Sequence, residues 1–283
     1  MPQQAIEQAC AKINLTLHIT GQRADGYHLL DSLVVFASIA DQVEVAAADK
    51  LSLIIDGPYG AGLAADDGNL VMRAARLLHP NRGAAVRLTK ELPVASGIGG
   101  GSADAAASLR ALARLWEMPL PNPAGVATLG ADVPACLHGR PLRLRGIGEQ
   151  ISDLPPLPAL DIVLVNPGVA VPTPAVFKAL TQKQNPAMAD VLPNWPDAAA
   201  FCTWLARQRN DLLLPAMTLA PSIATVLAAL RQSECLFAGM SGSGATCFAL
   251  FVPGANAETA RAAIAKAKPQ WWAAAGQLMR ATT

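Results

Sequence analysis

The 283-residue sequence is short of cysteine, aromatic residues and net charge. The five cysteines form no Cys-x-x-Cys pair, so neither a disulfide framework nor a zinc site is predicted; they are Cys10, Cys136, Cys202, Cys235 and Cys247. A formal net charge of +1 provides no broad basic surface for nucleic acid or an anionic membrane. Any anionic ligand must therefore be held by local groups, which favours a small molecule.

Long apolar runs are also missing. The most apolar early run, residues 33–40, is too short to span a bilayer, and the first fifteen residues contain no apolar core of a secretory signal. A hydrophobic content of 52% with 15% charged residues is typical of a globular protein. We expect a cytoplasmic protein of two domains, residues 1–153 and 154–283, divided at the Pro-rich segment 154–158.

A glycine-rich stretch follows an alternating segment at residues 84–89 and precedes an Ala/Leu-rich run that ends near Trp116. It reads Pro-Val-Ala-Ser-Gly-Ile-Gly-Gly-Gly-Ser-Ala from Pro93 to Ala103, and the order predicts a strand, a glycine loop and a helix. Glycines let an anion approach bare amides, and Ser102 lies near the helix start. The spacing fits neither a Walker loop nor a dinucleotide fingerprint. The alternatives to a phosphate loop are a flexible linker or a tight turn.

Residues 11–19 alternate strictly between apolar and polar side chains, which predicts a half-buried strand. Its polar face is either the solvent face of an edge strand or the lining of a site; it carries Lys12, Asn14, Thr16 and His18. A turn at residues 21–26 then leads to Tyr27 and His28. This pair could stack on a planar base and bond its edge, or could be ordinary boundary residues.

Further along the chain, strand-like runs occupy residues 33–39, 43–45, 51–55, 142–145 and 162–165, and a helix is predicted around residues 66–78. Asp132 stands before a Val-Pro pair, where an aspartate usually caps a helix but could also be catalytic. Thr173 precedes a proline and is predicted as a helix cap, and residues 181–196 as a surface loop. A second glycine loop, residues 241–246, is either a flexible hairpin or a backbone lip over a ligand.

Taken together, these motifs resemble the GHMP kinase superfamily, whose phosphate loop reads Pro-x-x-x-Gly-Leu-Gly-Gly-Gly-Ser-Ser. Within it the chain is most similar to the 4-diphosphocytidyl-2-C-methyl-D-erythritol kinases. The motifs that carry this second resemblance follow that family's order over about 240 residues: Ala11-Lys-Ile-Asn-Leu15, Arg23-Ala-Asp-Gly-Tyr-His28, Gly130-Ala-Asp-Val-Pro134 and Ser241-Gly-Ser-Gly-Ala-Thr246.

The resemblance implies an α+β, two-domain GHMP kinase fold, with an N-terminal domain like domain 2 of ribosomal protein S5 and a ferredoxin-like C-terminal domain. It implies ATP-dependent phosphorylation, with Mg²⁺, of the 2-hydroxyl of the diphosphocytidyl substrate in the non-mevalonate isoprenoid pathway. Lys12 and Asp132 are then the catalytic pair. The expected substrate-binding residues are Asn14, Tyr27, His28 and Thr173. The expected ATP-binding residues are Asn69, Pro93, Val94, Ala95, Ser96, Gly97, Ile98, Gly99, Gly100, Gly101, Ser102 and Ala103.

Two departures from the family pattern affect these expectations. Ala103 replaces the second serine of the phosphate loop, so Ser102 must make any hydroxyl contact there. The segment between Trp116 and Gly130 is short and Pro-rich, which leaves the helix before Asp132 in question. The alternatives are a kinase of this fold with another acceptor, such as mevalonate, homoserine or a sugar, or a non-catalytic module that binds ATP. The expected partners are the small-molecule substrate and ATP, with no nucleic acid and no membrane, and the sequence does not reveal the oligomeric state.

Overall fold

The computed structural model describes residues 3–254 and 256–280, which divide into two compact units of three segments each. The first unit contains residues up to Ala11, Ala40–Val94 and Gly99–Gly139. The second contains Lys12–Ile39, Ala95–Ile98 and the chain from Arg140 onward. In the described ranges no helix is long and apolar enough to cross a bilayer.

Strands and helices occur in mixed order along the described ranges. The strands are β1 (Gln4–Asn14), β2 (His18–Gln22), β3 (His28–Ala47), β4 (Ser52–Asp56), β5 (Ala84–Thr89), β6 (Leu142–Gly146), β7 (Gln150–Asp153), β8 (Asp161–Asn166), β9 (Phe237–Met240), β10 (Cys247–Phe251) and β11 (Trp272–Gln277). The helices are α1 (Leu70–Leu78), α2 (Gly100–Trp116), α3 (Pro123–Ala127), α4 (Val133–His138), α5 (Thr173–Lys178), α6 (Ala198–Leu205), α7 (Leu213–Leu219), α8 (Ser222–Arg231) and α9 (Ala257–Ala267).

In the first unit, β5 pairs antiparallel with the end of β3, from Gln42 opposite Thr89 to Ala47 opposite Ala84, and parallel with β4. The predicted alternation of β5 is confirmed, because Ala84, Val86 and Leu88 are buried between its exposed neighbours. Helices α1 and α2 pack on each other, and α2 also packs on α4. The predicted helix after the glycine loop is therefore present and almost wholly buried along its length.

In the second unit, β3 pairs antiparallel with β2 and with β6, and β6 pairs with β7. A separate antiparallel sheet has the order β11-β8-β10-β9, and α8 and α9 pack against it. The hydrophobic core of this unit is formed by apolar side chains of β8 and β10 together with those of α8 and α9.

The alternating segment 11–19 is not one strand. β1 ends at Asn14 and β2 begins at His18, because the intervening backbone bonds to other partners: Leu15 donates to the Leu33 carbonyl and Leu17 to the Arg209 carbonyl, each at 2.8 Å. The edge-strand interpretation of the polar face is wrong, since all four of its side chains are buried. Burial of polar groups is tolerated only with hydrogen-bond partners, so this face is built into the protein.

Two strands that the sequence predicts separately, residues 33–39 and 43–45, belong to the single strand β3. Asp41 lies between these two runs. In the structure it is fully buried and its carboxylate bonds to Lys90. A partner 49 residues away thus allows a charged residue inside a continuous strand.

The segment 181–196 lacks helix and strand, as predicted, but it is not simply a surface loop. Met188 and Trp195 are buried. Arg143 binds both carboxylate oxygens of Asp31 at 2.7 Å and also donates to the carbonyls of Met188, Ala189 and Asp190. A buried ion pair therefore fixes the middle of this segment to β3 and β6.

Candidate active site

The glycine loop, residues 93–103, has the backbone that an anion cradle needs. Gly97 and Gly99 have φ angles of 79° and 67°, in the left-handed region that favours glycine. Ala95 also lies in this region, at 52°, which strains the backbone of a residue that has a Cβ. Helix α2 begins at Gly100 and no side chain caps it, so an anion would meet no capping group at the amides of its first turn.

The second glycine loop, residues 241–246, holds the Ala95–Ile98 part of the first. The Ser241 hydroxyl donates to the Gly97 carbonyl at 3.0 Å, and the Thr246 hydroxyl donates to the Ser96 carbonyl at 2.6 Å. A Cβ on Gly97 would lie 2.4 Å from the Gly244 carbonyl oxygen. The two backbones thus pack directly on each other, which excludes the flexible-hairpin interpretation.

Lys12 and Asn14 lie side by side at the end of β1. Lys12 Nζ donates to Asn14 Oδ1 at 3.2 Å, and the Lys12 amide donates to the Ile98 carbonyl at 2.9 Å. The Asn14 amide donates to the Ser241 hydroxyl at 3.1 Å. This part of β1 is therefore bonded both to the glycine loop and to the loop that supports it. These bonds hold the backbone of Lys12 beside residues 95–98, and its buried ammonium bonds to Asn14.

Asp132 stands at the N-cap position of α4, but its carboxylate does not bond to the amides of that helix. The capping interpretation is therefore wrong for the side chain. The Asp132 carbonyl accepts from the Cys136 amide at 3.0 Å, which begins the helix. Helix α3 is present before it, although it is only five residues long. The backbone of Asp132 is thus bonded into the start of α4, while its carboxylate does not cap this helix.

Asn69 caps α1, with its side-chain oxygen accepting from the Val71 amide at 2.9 Å and its amide group donating to the Ala64 carbonyl at 2.8 Å. It thus has a structural role, and its contact with a nucleotide stays a prediction. Thr173 is the first helical residue of α5 and not its cap, which is Pro172. Its hydroxyl lies 2.8 Å from the hydroxyl of Ser243 in the second glycine loop.

A buried cluster of three charges supports the start of α2. Lys90 Nζ binds Asp41 and, at 2.7 Å, Asp104 of α2. Asp41 also accepts from the amides of Glu91 and Leu92, just before the glycine loop, at 2.6 and 2.8 Å. Burial raises the pKa of Asp104 to about 7, with Lys90 opposing the rise and Asp41 adding to it. The cluster joins the segment before the loop to the helix after it.

Tyr27 and His28 differ in exposure. The Tyr27 side chain is 61% exposed, whereas the His28 ring stacks on Phe177 of α5 with a centroid distance of 4.9 Å. Burial, together with the charge of Lys183, lowers the pKa of His28, so its ring is neutral at neutral pH. His28 Nε2 is buried without a hydrogen-bond partner in the described part of the chain. Such an atom needs a partner, and a ligand can supply one.

The chain is similar to known proteins over nearly its whole length. Residues 69–140 match the family described as GHMP kinases N terminal domain, and residues 188–270 match GHMP kinases C terminal. A 4-diphosphocytidyl-2-C-methyl-D-erythritol kinase of Ruegeria pomeroyi is 61% identical over 273 residues, which cover 96% of this chain and 98% of the relative. One from Paracoccus denitrificans is 55% identical, with 98% of each chain covered. The chain belongs to this kinase family.

Solved structures show the same fold. A crystal structure of 4-(cytidine 5'-diphospho)-2C-methyl-D-erythritol kinase, 36% identical, superposes with a TM-score of 0.78 and covers 96% of this chain and 98% of its own. A homoserine kinase from Cytophaga hutchinsonii is 19% identical with a TM-score of 0.70, covering 99% and 96%, and supports the fold alone. The predicted family and the two-domain GHMP kinase fold are confirmed. The matched family segments lie on either side of residue 153, the domain boundary that we propose.

Sequence reasoning missed several residues that support the predicted site residues. Phe177 lies four residues after Thr173 on α5, and Ser32 follows the Tyr27-His28 motif in β3. Asp104 comes directly after the glycine loop, but its partner Lys90 precedes the loop by three residues. A charged pair flanking a phosphate loop is the one signal that could have identified this cluster from sequence.

Proposed function

We propose that this kinase transfers the γ-phosphoryl group of ATP to the 2-hydroxyl of 4-diphosphocytidyl-2-C-methyl-D-erythritol, giving the 2-phosphate and ADP. The relatives that carry this substrate in their name match almost the whole chain. The observation that carries the proposal is the anchoring of Lys12 and Asn14 to residues 95–98 of the glycine loop. This arrangement holds the end of β1, with the Lys12 side chain bonded to Asn14, against the loop that would hold the phosphates.

The glycine loop fits the ATP phosphates. Positive φ angles at Gly97 and Gly99 turn the backbone, and the uncapped first turn of α2 supplies amides and the positive end of a helix dipole. A Cβ on Gly101 would find only Leu70 Cδ1, at 3.6 Å, within 4 Å, so the protein leaves room at this residue. Ser102 contributes the hydroxyl that Ala103 lacks. We assign Pro93 to Ala103, with Asn69, to the nucleotide.

Mg²⁺ would neutralise charge on the β- and γ-phosphate oxygens. In the part of the chain that the structure describes, no group of three or more His, Cys, Asp or Glu side chains is arranged for a metal ion. A magnesium ion that arrives with ATP needs only one or two protein carboxylates in addition to phosphates and water. We therefore propose no dedicated protein cage for it.

In the proposed mechanism the chain contributes position and charge. Asp132 orients the acceptor hydroxyl and accepts its proton late in the transfer, and Lys12 stabilises negative charge on the transferred group. Phosphoryl transfer has a loose transition state with charge spread over its oxygens, so alignment supplies most of the acceleration. Asn14 lies beside the acceptor and holds Lys12 through its side-chain oxygen.

The cytosine end of the substrate is assigned to Tyr27 and His28. The exposed Tyr27 ring offers a face for stacking on the base, and the neighbouring His28 ring, which stacks on Phe177, has a buried Nε2 that lacks a partner in the described part of the chain. Thr173, at the start of the helix that carries Phe177, is assigned to the same substrate.

The proposal is tested by a coupled assay of ADP release with Mg-ATP and four acceptors: the diphosphocytidyl substrate, mevalonate, homoserine and galactose. We expect turnover with the first alone. Turnover with another alcohol only would remove the Tyr27 and His28 assignment, and ATP binding without turnover of any acceptor would favour a non-catalytic module.

A second measurement tests the cytosine assignment. Removal of the Tyr27 ring should raise KM for the diphosphocytidyl substrate about 10-fold, because base–aromatic stacking contributes about 1–3 kcal/mol. KM for ATP should not change, since the ring serves the other substrate. An unchanged KM for the diphosphocytidyl substrate in Tyr27→Ala would refute the stacking role.

A further inference from the structure

Ser32 forms two hydrogen bonds that determine how Asn14 is oriented. It lies in β3 opposite Leu144 of β6 and is almost completely buried. Its hydroxyl donates to the Thr16 carbonyl at 2.5 Å and accepts from Asn14 Nδ2 at 2.8 Å. Both neighbours belong to the segment that contains the candidate catalytic lysine.

The direction of each bond follows from the chemistry of its partners. A backbone carbonyl only accepts, so the single hydrogen of the Ser32 hydroxyl is committed to Thr16. The Ser32 oxygen must then accept from Asn14, which requires the NH₂ end of the amide to face Ser32. The other end, Asn14 Oδ1, faces Lys12 Nζ at 3.2 Å, and an ammonium only donates. Each bond thus allows one orientation of the next group.

The reversed amide would be unfavourable at both ends. Asn14 Nδ2 would face the Lys12 ammonium, placing donor against donor, and Asn14 Oδ1 would face a serine oxygen whose hydrogen is already used. Ser32 and Asn14 are both buried, so water is poorly placed to replace a missing partner. Without the Ser32 hydroxyl, one end of the amide loses its partner.

The residues on both sides of Ser32 are held by hydrogen bonds. The preceding residue, Asp31, is bonded through both carboxylate oxygens to buried Arg143, and the following residue, Leu33, donates its amide to the Thr16 hydroxyl at 2.9 Å. The Ser32 oxygen is therefore held at a fixed place with respect to Asn14. A fixed acceptor is what a group that orients another side chain requires.

We infer that Ser32 is a positioning residue for phosphoryl transfer: its hydroxyl fixes the Asn14 amide so that Asn14 Oδ1 holds the Lys12 ammonium in place. The inference rests on the proposed function, in which Lys12 acts on the transferred group. Ser32 touches neither substrate in this arrangement and acts through Asn14.

The expected effect of Ser32→Ala is on kcat. A misplacement of about 1 Å in the active site can cost about 100-fold in rate, so we expect a loss of about 10- to 100-fold. KM for ATP should stay the same, because the glycine loop is held by Ser241 and Thr246. Ser32→Thr, which keeps the hydroxyl, should recover most of the rate. Ser108→Ala is the matched control, since Ser108 is also a buried serine but donates to the Asp104 carbonyl of its own helix, at 2.8 Å.

A double-mutant cycle separates positioning from general support of the fold. If Ser32 acts through Asn14, Ser32→Ala should lower kcat in the wild-type background but not in Asn14→Ala. If the two losses multiply instead, the positioning role is refuted, whatever the thermal stabilities of the variants. Residual rates must be measured by single turnover so that slow product release does not hide them.

Lys12→Met is assayed beside the cycle so that the two proposals can fail separately. Wild-type enzyme that does not phosphorylate the diphosphocytidyl substrate refutes the proposed function. Wild-type activity that Lys12→Met retains refutes the role of Lys12, and with it the role of Ser32. An inactive Lys12→Met with multiplicative losses in the cycle refutes the role of Ser32 alone.

Discussion

At the scale of single residues, Asp132 illustrates a carboxylate that the backbone positions but does not use as a cap. It occupies the N-cap of α4, yet its side chain makes no capping bond. Asparagine has nearly the same shape and keeps one oxygen acceptor, so we expect Asp132→Asn to fold normally and to bind ATP with unchanged affinity, while kcat falls by about 10²- to 10⁴-fold, the usual contribution of a general base.

This expectation is checked by calorimetric titration with a non-hydrolysable ATP analogue and by steady-state kinetics on the same preparation. The wild-type chain and an Asp132→Ala variant bracket the result, since alanine removes both the charge and the hydrogen-bonding capacity. Loss of nucleotide affinity in Asp132→Asn would show that Asp132 has a structural role and would contradict its assignment as a catalytic residue.

Asp104 is a second residue whose environment has a measurable consequence. Its pKa is raised from the ordinary 3.8 to about 7 in the folded protein, chiefly by burial. At pH values between these two pKa values, Asp104 keeps its proton in the folded state but has released it in the unfolded state. Its contribution to the free energy of unfolding therefore falls as pH rises from about 4 to about 7 and is level above this window.

Denaturant titrations at a series of pH values test this behaviour. The stability of wild type relative to Asp104→Asn should decline with pH across the window, because asparagine mimics the protonated acid and cannot release a proton. Replacement of the exposed Asp49 by asparagine serves as the control. A difference between wild type and Asp104→Asn that is constant with pH would contradict the raised pKa.

At the scale of elements, the two glycine loops are bonded so closely that one of their glycines has no substitute. Gly97 has a φ of 79°, and a Cβ there would lie 2.4 Å from the Gly244 carbonyl oxygen. Gly97→Ala should lower the free energy of unfolding by about 1–3 kcal/mol, the usual effect of overpacking, and should weaken ATP binding with it.

Gly101→Ala should behave differently from Gly97→Ala. The nearest atom to its added Cβ is Leu70 Cδ1 at 3.6 Å, an ordinary contact, and alanine favours a helix. Its thermal stability should match or exceed that of wild type, while ATP affinity falls because the methyl group stands where phosphate approaches the amides. Thermal unfolding and ATP titration of both variants test this difference in stability and in ATP affinity. Undiminished ATP affinity in Gly101→Ala would place the phosphates elsewhere.

The elements also show how far sequence reasoning extends. Periodicity correctly predicted β5 and α2, because each of these has a local signal. It failed at residues 11–19, where the break between β1 and β2 depends on Leu33 and Arg209. Partners that are distant in sequence leave no trace in a short window.

The same limit applies to the candidate site. Lys12, Asn14 and Asp132 were predicted because they belong to recognisable motifs. Ser32 and Phe177 were not predicted, since their importance comes only from what they contact. The burial of the polar face of β1 could not be predicted either, because an alternating strand looks the same whether its polar side meets water or other polar groups.

At the scale of the whole molecule, the reactivity of the cysteine thiols can show whether the protein unfolds cooperatively. The cysteines are buried or half-buried, and burial raises the pKa of Cys10, Cys235 and Cys247 and raises that of Cys202 to about 12. Since the thiolate is the reactive form, the native protein should react slowly with a disulfide reagent at pH 8, and its activity should not depend on added reductant.

The number of thiols that react together tests whether the two units unfold as one. Cys10 and Cys136 belong to the first unit and Cys202, Cys235 and Cys247 to the second. Strands β1 and β3 supply residues to both units, so unfolding of either unit frays a strand that the other uses. We therefore expect all five thiols to be labelled in a single phase as denaturant is added, with guanidinium-unfolded protein as the reference for complete labelling. Separate phases of two and three thiols would instead show that each unit opens independently, since labelling then follows the local opening of each unit.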